Sequence, residues 1–452
     1  MKVKVQRALH RLTACVAAAG LTLTAGCAGA GTLGATENTV TIAMVSNSQM
    51  TDARELSDRF EAENPDIKLR FITLSENQAR AKITASTSMG GGEFDVVMIS
   101  NYETPQWAEN GWLVNLSDYI RKTPGYDEND FIPSLRESLS YDGNMYSVPF
   151  YGESSFLMYR KDLLEQAGID MPRTPTWQQV ADAAAKLDSP DMVGICLRGK
   201  PGWGEVLAPL DTVINTFGGR WFDMDWNAQL TSPETEKAVQ FYVDTVREYG
   251  EPGAATSGFG ECATQFSQGR AAMWYDATSA VSTIEDPKSS TVVGKVGYAM
   301  APKVEKDNPG WLYTWSLGIP KSSDKPDAAW KFISWMTDKD YIKLVGEELG
   351  WARVPPGSRL STYQIPEYKE ASAAFGQVTL ESIEGADPLK PTVQPVPYTG
   401  IQFLAIPEFQ DLGTRVSQQI SAAVAGQKSV TDALKQAQEY AEVVGKTYQE
   451  KS

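Results

Sequence analysis

Short apolar runs alternate along the chain with stretches whose apolar residues recur at helical spacing, the pattern of α/β lobes built on largely parallel sheets. Thr39–Val45 reads as a strand, followed by a helix over about 52–63 and a strand over 67–72. A further run at 94–99, apolar and preceded by glycines, reads as a buried strand. Thr176 with Gln179 forms a capping box that opens a helix to Leu187. Ser232-Pro233 starts another that runs to Tyr249. Pro326 opens a third, in which Ala329, Phe332, Ile333 and Met336 fall on one face. No internal repeat is present.

The first residues break this pattern. Lys2, Lys4, Arg7 and Arg11 precede an apolar stretch from Leu12 to Leu23, too short to span a bilayer, and small residues lead to Cys27. This is the layout of a secretory signal. Residues 24–27 are similar to a lipobox, although Thr24 stands where an aliphatic residue is usual and Leu23 lies one step further back. The expectation is a signal peptide over 1–26, lipidation at Cys27 and a flexible tether over 27–38, the ordinary cleavable signal being the alternative.

The chain of 452 residues carries 57 acidic and 41 basic side chains and a single histidine. Loss of 1–26 removes four of the basic residues and that histidine, His10. So acidic a body repels nucleic acid and anionic lipid. Without histidine it also lacks a Ser-His-Asp mechanism and the usual zinc ligand, so neither cofactor nor metal is expected. Length suggests two domains. Cys196 and Cys262 are expected as two buried thiols, with a disulfide between them as the alternative in an oxidising compartment.

Aromatic and polar residues outside the core patterns gather where strands end. Tyr102 and Glu103 follow the run at 94–99; Trp203 sits between Gly202 and Gly204; Asp276 follows Met273-Trp274-Tyr275; Trp315 precedes Leu317. Ligands of open α/β sheets lie beyond the carboxyl ends of strands. Flat aromatic faces with fixed carboxylates, amides and guanidinium groups suit a solute rich in hydroxyls, each of which both donates and accepts.

At these residues the chain resembles the sorbitol/mannitol (polyol) binding proteins of ABC importers, within the extracellular solute-binding proteins that include the maltose-binding protein. The resemblance is carried by residues 92–96, 101–103 with Trp107, 149–154, 194–205, 217–221, 273–278, 350–357 and 397–403, and runs from about 40 to 445. It implies a two-lobed α/β periplasmic-binding-protein fold of type II with a hinge between the lobes. The order implied is a first lobe over 39–149, a second over 150–295, a return to the first over 296–357, and C-terminal helices over 358–452, mainly on the second. The family pattern nominates Trp203, Asp276, Glu153, Trp315, Tyr102, Asn47, Glu103, Arg198 and Arg353 as ligand-binding residues. Core packing competes for the aromatics, helix capping for Asn47 and ion pairing for the charged residues. Arg353 stands where a smaller residue is expected.

Together these features imply a non-enzymatic, monomeric lipoprotein on the outer face of the cytoplasmic membrane, touching the membrane only through its anchor. It would take a mannitol-, sorbitol- or arabitol-like polyol in an interlobe cleft and deliver it to an ABC permease. A mono- or disaccharide is the alternative ligand. Two rival classes are a receptor-facing sensor and a secreted glycosidase, the latter drawing its carboxylates from Asp95, Glu103, Glu153 and Asp276.

Overall fold

A computed structural model gives the structure of the protein for residues 38–451. The expected signal at 1–26 and, save its last residue, the 27–38 tether with Cys27 lie outside the described residues. The strands are β1 (Thr39–Val45), β2 (Lys68–Leu74), β3 (Val96–Ser100), β4 (Ser140–Tyr141), β5 (Asn144–Met145) and β6 (Ser147–Glu153). They continue as β7 (Ser155–Arg160), β8 (Val193–Cys196), β9 (Ala271–Ala277), β10 (Val296–Met300) and β11 (Tyr313–Gly318). One sheet has the order β2-β1-β3-β11-β6 and the other β10-β7-β9-β8. Each mixes parallel and antiparallel pairs: β1 runs parallel to β2 and β3, whereas β11 is antiparallel to both β3 and β6.

Every residue of β1, β3, β6, β9 and β11 is buried, so these strands are covered on both faces. The small hairpin of β4 and β5 turns at Asp142-Gly143, both with positive φ, as a two-residue loop matched to strand twist requires.

The capping residues act as their chemistry dictates. Thr176 and Gln179 bond reciprocally, and Ser232 accepts from Thr235 N at the start of Pro233–Tyr249. The helix expected over 52–63 begins earlier, at Ser48, since the Asn47 side chain accepts from Met50 N, and it divides at Leu56 into Ser48–Glu55 and Ser57–Glu63. The third buried strand starts at Val96, not at 94. The Asp95 carboxylate is turned back to accept from Thr41 N at 2.9 Å and Ser323 Oγ at 2.7 Å.

The chain passes between the sheets later than expected. β6 stays in the first sheet as far as Glu153, paired with Tyr313, so the first crossing is at Ser154 and not near 149. β10 pairs antiparallel with β7, Met300 opposite Phe156, and therefore belongs to the second sheet. The return falls between β10 and β11, not at 295. Helices Phe409–Val424 and Val430–Gln449 pack on each other and on Pro233–Tyr249, beside the second sheet. Trp226 stacks on Tyr448 at 4.0 Å, closing that layer.

Cys196 and Cys262 are joined, correcting the expectation of two thiols. β8 and the helix Phe259–Ser267 bring their Cα atoms to 5.7 Å inside an apolar cluster with Phe156, Met158, Phe266 and Trp274. The bond closes a loop of 66 residues, which removes about 4 kcal/mol of unfolded-chain entropy. Replacing both cysteines by serine should therefore lower unfolding free energy by about 2–4 kcal/mol in urea titration. A midpoint equal to wild type would show that the bond adds nothing.

Candidate functional site

A cavity of about 200 Å³ lies between the two sheets. From the first it takes Asn47 and Gln49 beyond β1, Glu76 and Arg80 beyond β2, and Tyr151 and Glu153 at the end of β6. From the second come Arg198, Trp203 and Glu205 beyond β8, Phe259 on its helix and Ser279 beyond β9; Trp311, Trp315 and Gln402 complete the wall. Most of these stand at carboxyl ends of strands, where side chains and helix starts converge.

The glycines around Trp203 let this wall form. A Cβ on Gly202, at φ +147°, would lie 2.6 Å from Asn77 Oδ1, and one on Gly204 would lie 2.4 Å from Glu76 Oε1. The 198–205 loop thus seats directly on the helix Glu76–Ser88, and Asn77 Nδ2 donates to Pro201 O at 3.1 Å.

Of the residues expected to bind ligand, Asn47, Glu153, Arg198, Trp203 and Trp315 line the cavity. Asn47 is divided between roles: Oδ1 caps Met50 N at 2.8 Å, while Nδ2 donates to Tyr151 Oη at 2.9 Å and so orients that hydroxyl. Trp203 is only 4% exposed, with Tyr102 and Phe409 against it and the Arg80 guanidinium 4.1 Å from its ring centroid. Arg80 also lies 4.8 Å from the Trp315 ring and pairs with Glu76 at 2.8 Å and Glu103 at 3.0 Å. The guanidinium thus joins a tryptophan from each side of the cleft by cation–π attraction.

Asp276, Tyr102, Glu103 and Arg353 do not line the cavity. Asp276 is fully buried, and its oxygens are consumed by Arg198 Nε at 2.8 Å, Arg198 Nη2, Trp274 Nε1 at 3.0 Å and Ala277 N at 2.7 Å. No acceptor remains for a ligand; the carboxylate instead fixes Arg198, which also donates to Gly204 O at 2.8 Å. Tyr102 backs Trp203 and is held by Ile406 O and Gln410 N, each at 3.1 Å. Glu103 accepts from Arg80 and from Ser100 N at 3.0 Å. Arg353 lies elsewhere, between Asp52 and Asp286.

Arg80, Trp311 and Gln402 complete the site without any local sequence signal of their own, though Gln402 falls in the 397–403 segment that shares in the family resemblance. Trp311 Nε1 and Gln402 Oε1 are buried and hydrogen-bonded to no other group among the described residues. One is a donor and the other an acceptor, and both line the cavity.

Burial pushes the Glu153 carboxyl up to about 8, against the lowering effects of a bond from Ser279 Oγ at 2.5 Å and of Arg198. Burial thus favours the protonated form, which donates as well as accepts. Burial, with Glu76 nearby, also raises Glu205 to about 7, opposed by Arg198 and Lys200. Among the described residues no group of side chains could hold a metal ion.

The chain belongs to the bacterial extracellular solute-binding protein family, whose model matches residues 47–343. Its architecture is the two-lobed α/β fold of that family, and members bind solutes for transport without transforming them. Among its relatives is the mannitol-binding protein of Pseudomonas aeruginosa, 45% identical over 431 residues that cover 95% of this chain and 96% of the relative. An ABC transporter solute binding protein from Agrobacterium vitis, solved with bound D-mannitol, superposes with a TM-score of 0.89 at 48% identity, covering 91% of this chain and 99% of that one. Another from Agrobacterium radiobacter, in complex with ribitol, gives 0.79 at 25% identity over 90% and 99%.

The raised Glu153 has a consequence for folding. Its carboxyl keeps a proton in the native state up to about pH 8 but loses it near the ordinary 4.5 when unfolded. The native state then binds more protons between those values, so stability falls as pH rises from about 5 to 8. Glu153→Gln should flatten this decline in thermal melts of the ligand-free protein, leaving the part due to the other raised carboxyls, among them Glu205, Asp338 and Asp211. An unchanged slope would mean Glu153 is ionised in the folded protein.

Proposed function

We propose that the protein is the extracytoplasmic binding component of an ABC importer and captures a linear polyol of the mannitol type in the cavity between its lobes. Cys27, after signal removal, would carry the lipid anchor on the outer face of the cytoplasmic membrane, and the loaded monomer would dock on the permease. Among the described residues no helix is long and apolar enough to cross a membrane.

The observation that carries this reading is the set of unmatched buried groups on cavity-lining residues, Trp311 Nε1, Tyr313 Oη and Gln402 Oε1. A buried polar atom without a partner costs on the order of 1–3 kcal/mol, and the hydroxyls of a solute in the cavity are groups of the kind that relieve such costs. Glu153 as a neutral acid, Arg198 held by Asp276, and Tyr151 held by Asn47 extend the same donor and acceptor surface. The cavity, at about 200 Å³, is smaller than the roughly 300–1,000 Å³ of sites for drug-sized ligands, which favours one small solute over a disaccharide. The names of the relatives, mannitol-binding or solved with D-mannitol or ribitol, agree with it.

Calorimetry of the mature domain against mannitol, sorbitol, arabitol, glucose and maltose tests the reading. A polyol at 100 times its dissociation constant should add about 2.7 kcal/mol of stability. Trp311→Phe keeps the ring and removes the N–H, and should weaken that polyol roughly 5- to 30-fold. Binding of maltose alone, or an undiminished affinity in the variant, would overturn the assignment.

A further inference from the structure

Arg353 stands apart from the cavity, in the short helix Trp351–Arg353, whose tryptophan packs on Gly346 of the first-lobe helix Lys339–Glu348. Its guanidinium faces two ways. Nε and Nη2 bond the carboxylate of Asp52, on the first-lobe helix Ser48–Glu55, with Nε at 3.2 Å. Nη1 bonds Asp286 Oδ2 at 3.1 Å. Asp286 follows Val281–Ile284, which is packed into the apolar cluster of the second sheet. Asp286 is held there independently, accepting from Lys288 N and Ser289 Oγ, each at 3.0 Å. The bond from Arg353 to Asp286 therefore spans the seam between the lobes.

It does not span it alone. Ser48 Oγ meets Ser282 Oγ at 2.9 Å, and Gln49 Nε2 donates to Ser282 Oγ at 2.9 Å and Ser279 O at 3.2 Å. When the lobes part, those neutral groups find water at little net loss. The ion pair behaves differently: the side chains are 15% and 8% exposed when joined, so the attraction acts in a poorly screened setting and is lost into salt solution on opening.

We infer that Arg353 is a positioning residue for solute capture: its ion pair with Asp286 favours the closed arrangement of the lobes and so sets affinity without touching the solute. This rests on the proposed function, in which the solute is gripped by closure. Whatever fraction of the protein is closed before binding scales the apparent affinity directly. A neutral polyol carries no charge, so salt can reach its affinity only through charges within the protein.

The test is calorimetric titration of mannitol into wild type, Asp286→Asn, Asp286→Glu and Arg353→Gln at low and high KCl, with thermal melts to verify folding. Wild-type affinity should weaken as KCl rises. Asp286→Asn should bind roughly 5- to 30-fold more weakly and respond less to salt, whereas Asp286→Glu should restore both. Arg353→Gln should match Asp286→Asn. A folded Asp286→Asn protein with wild-type affinity, or one that keeps the wild-type salt response, would overturn the inference. If wild type binds no polyol, the functional reading fails, and the clasp is judged on the ligand-free protein by small-angle scattering. Either Asp286→Asn or high KCl must then raise the radius of gyration; an unchanged radius in both rejects it.

Discussion

A carboxylate removed from water at the end of a strand must be matched, and the pairing of Asp276 with Arg198 meets that demand at the floor of the cleft. The bond fixes a guanidinium that would otherwise sample many rotamers, and Arg198 in turn holds Gly204 O and the loop that bears Trp203. Arg80 enters the same arrangement from the other lobe, its charge matched by Glu76 and Glu103 and its flat faces by Trp203 and Trp315. Most of the polar groups of the cleft are thus paired before a solute arrives. What stays unmatched, at Trp311, Tyr313 and Gln402, is what hydroxyls can satisfy.

Such preorganisation matters for a flexible, linear ligand, which loses torsional freedom on binding. A wall of fixed donors and acceptors confines that loss to the ligand. The disulfide contributes, since Cys196 lies two residues before Arg198 and Cys262 shares a helix with Phe259, tying two parts of the second lobe's wall.

Elements governed by neighbours in the chain are legible in the sequence. The capping residues Asn47, Thr176 and Ser232, the buried run of β1 and the apolar face of Pro326–Met336 all act through local chemistry. Long-range pairing is not. Whether β10 belongs with the first sheet or the second depends on Phe156 opposite Met300, and no local pattern states it. At the site, Trp203 is legible because glycines flank it, yet its close partner Arg80 sits in the middle of an ordinary helix. Asp276 stands out as a carboxylate ending an apolar strand, which is correct as a description of burial. Its role differs because Arg198, 78 residues away in sequence, reaches it first. Arg353 stands out against the family pattern, but its two acidic partners lie in separate lobes.

The link between β6 and β7 is one residue, Ser154, whereas the return from β10 to β11 uses the whole of 301–312. A single-residue link leaves very few backbone torsions to absorb a change of angle, while the longer strap can flex over many. Rotation of the lobes is thus most restricted at Ser154, and displacement grows with distance from it. Glu153 and Tyr151, on the strand that runs into that pivot, would shift least against the second lobe. Solute should then meet its inner contacts first and be covered by the outer ones last.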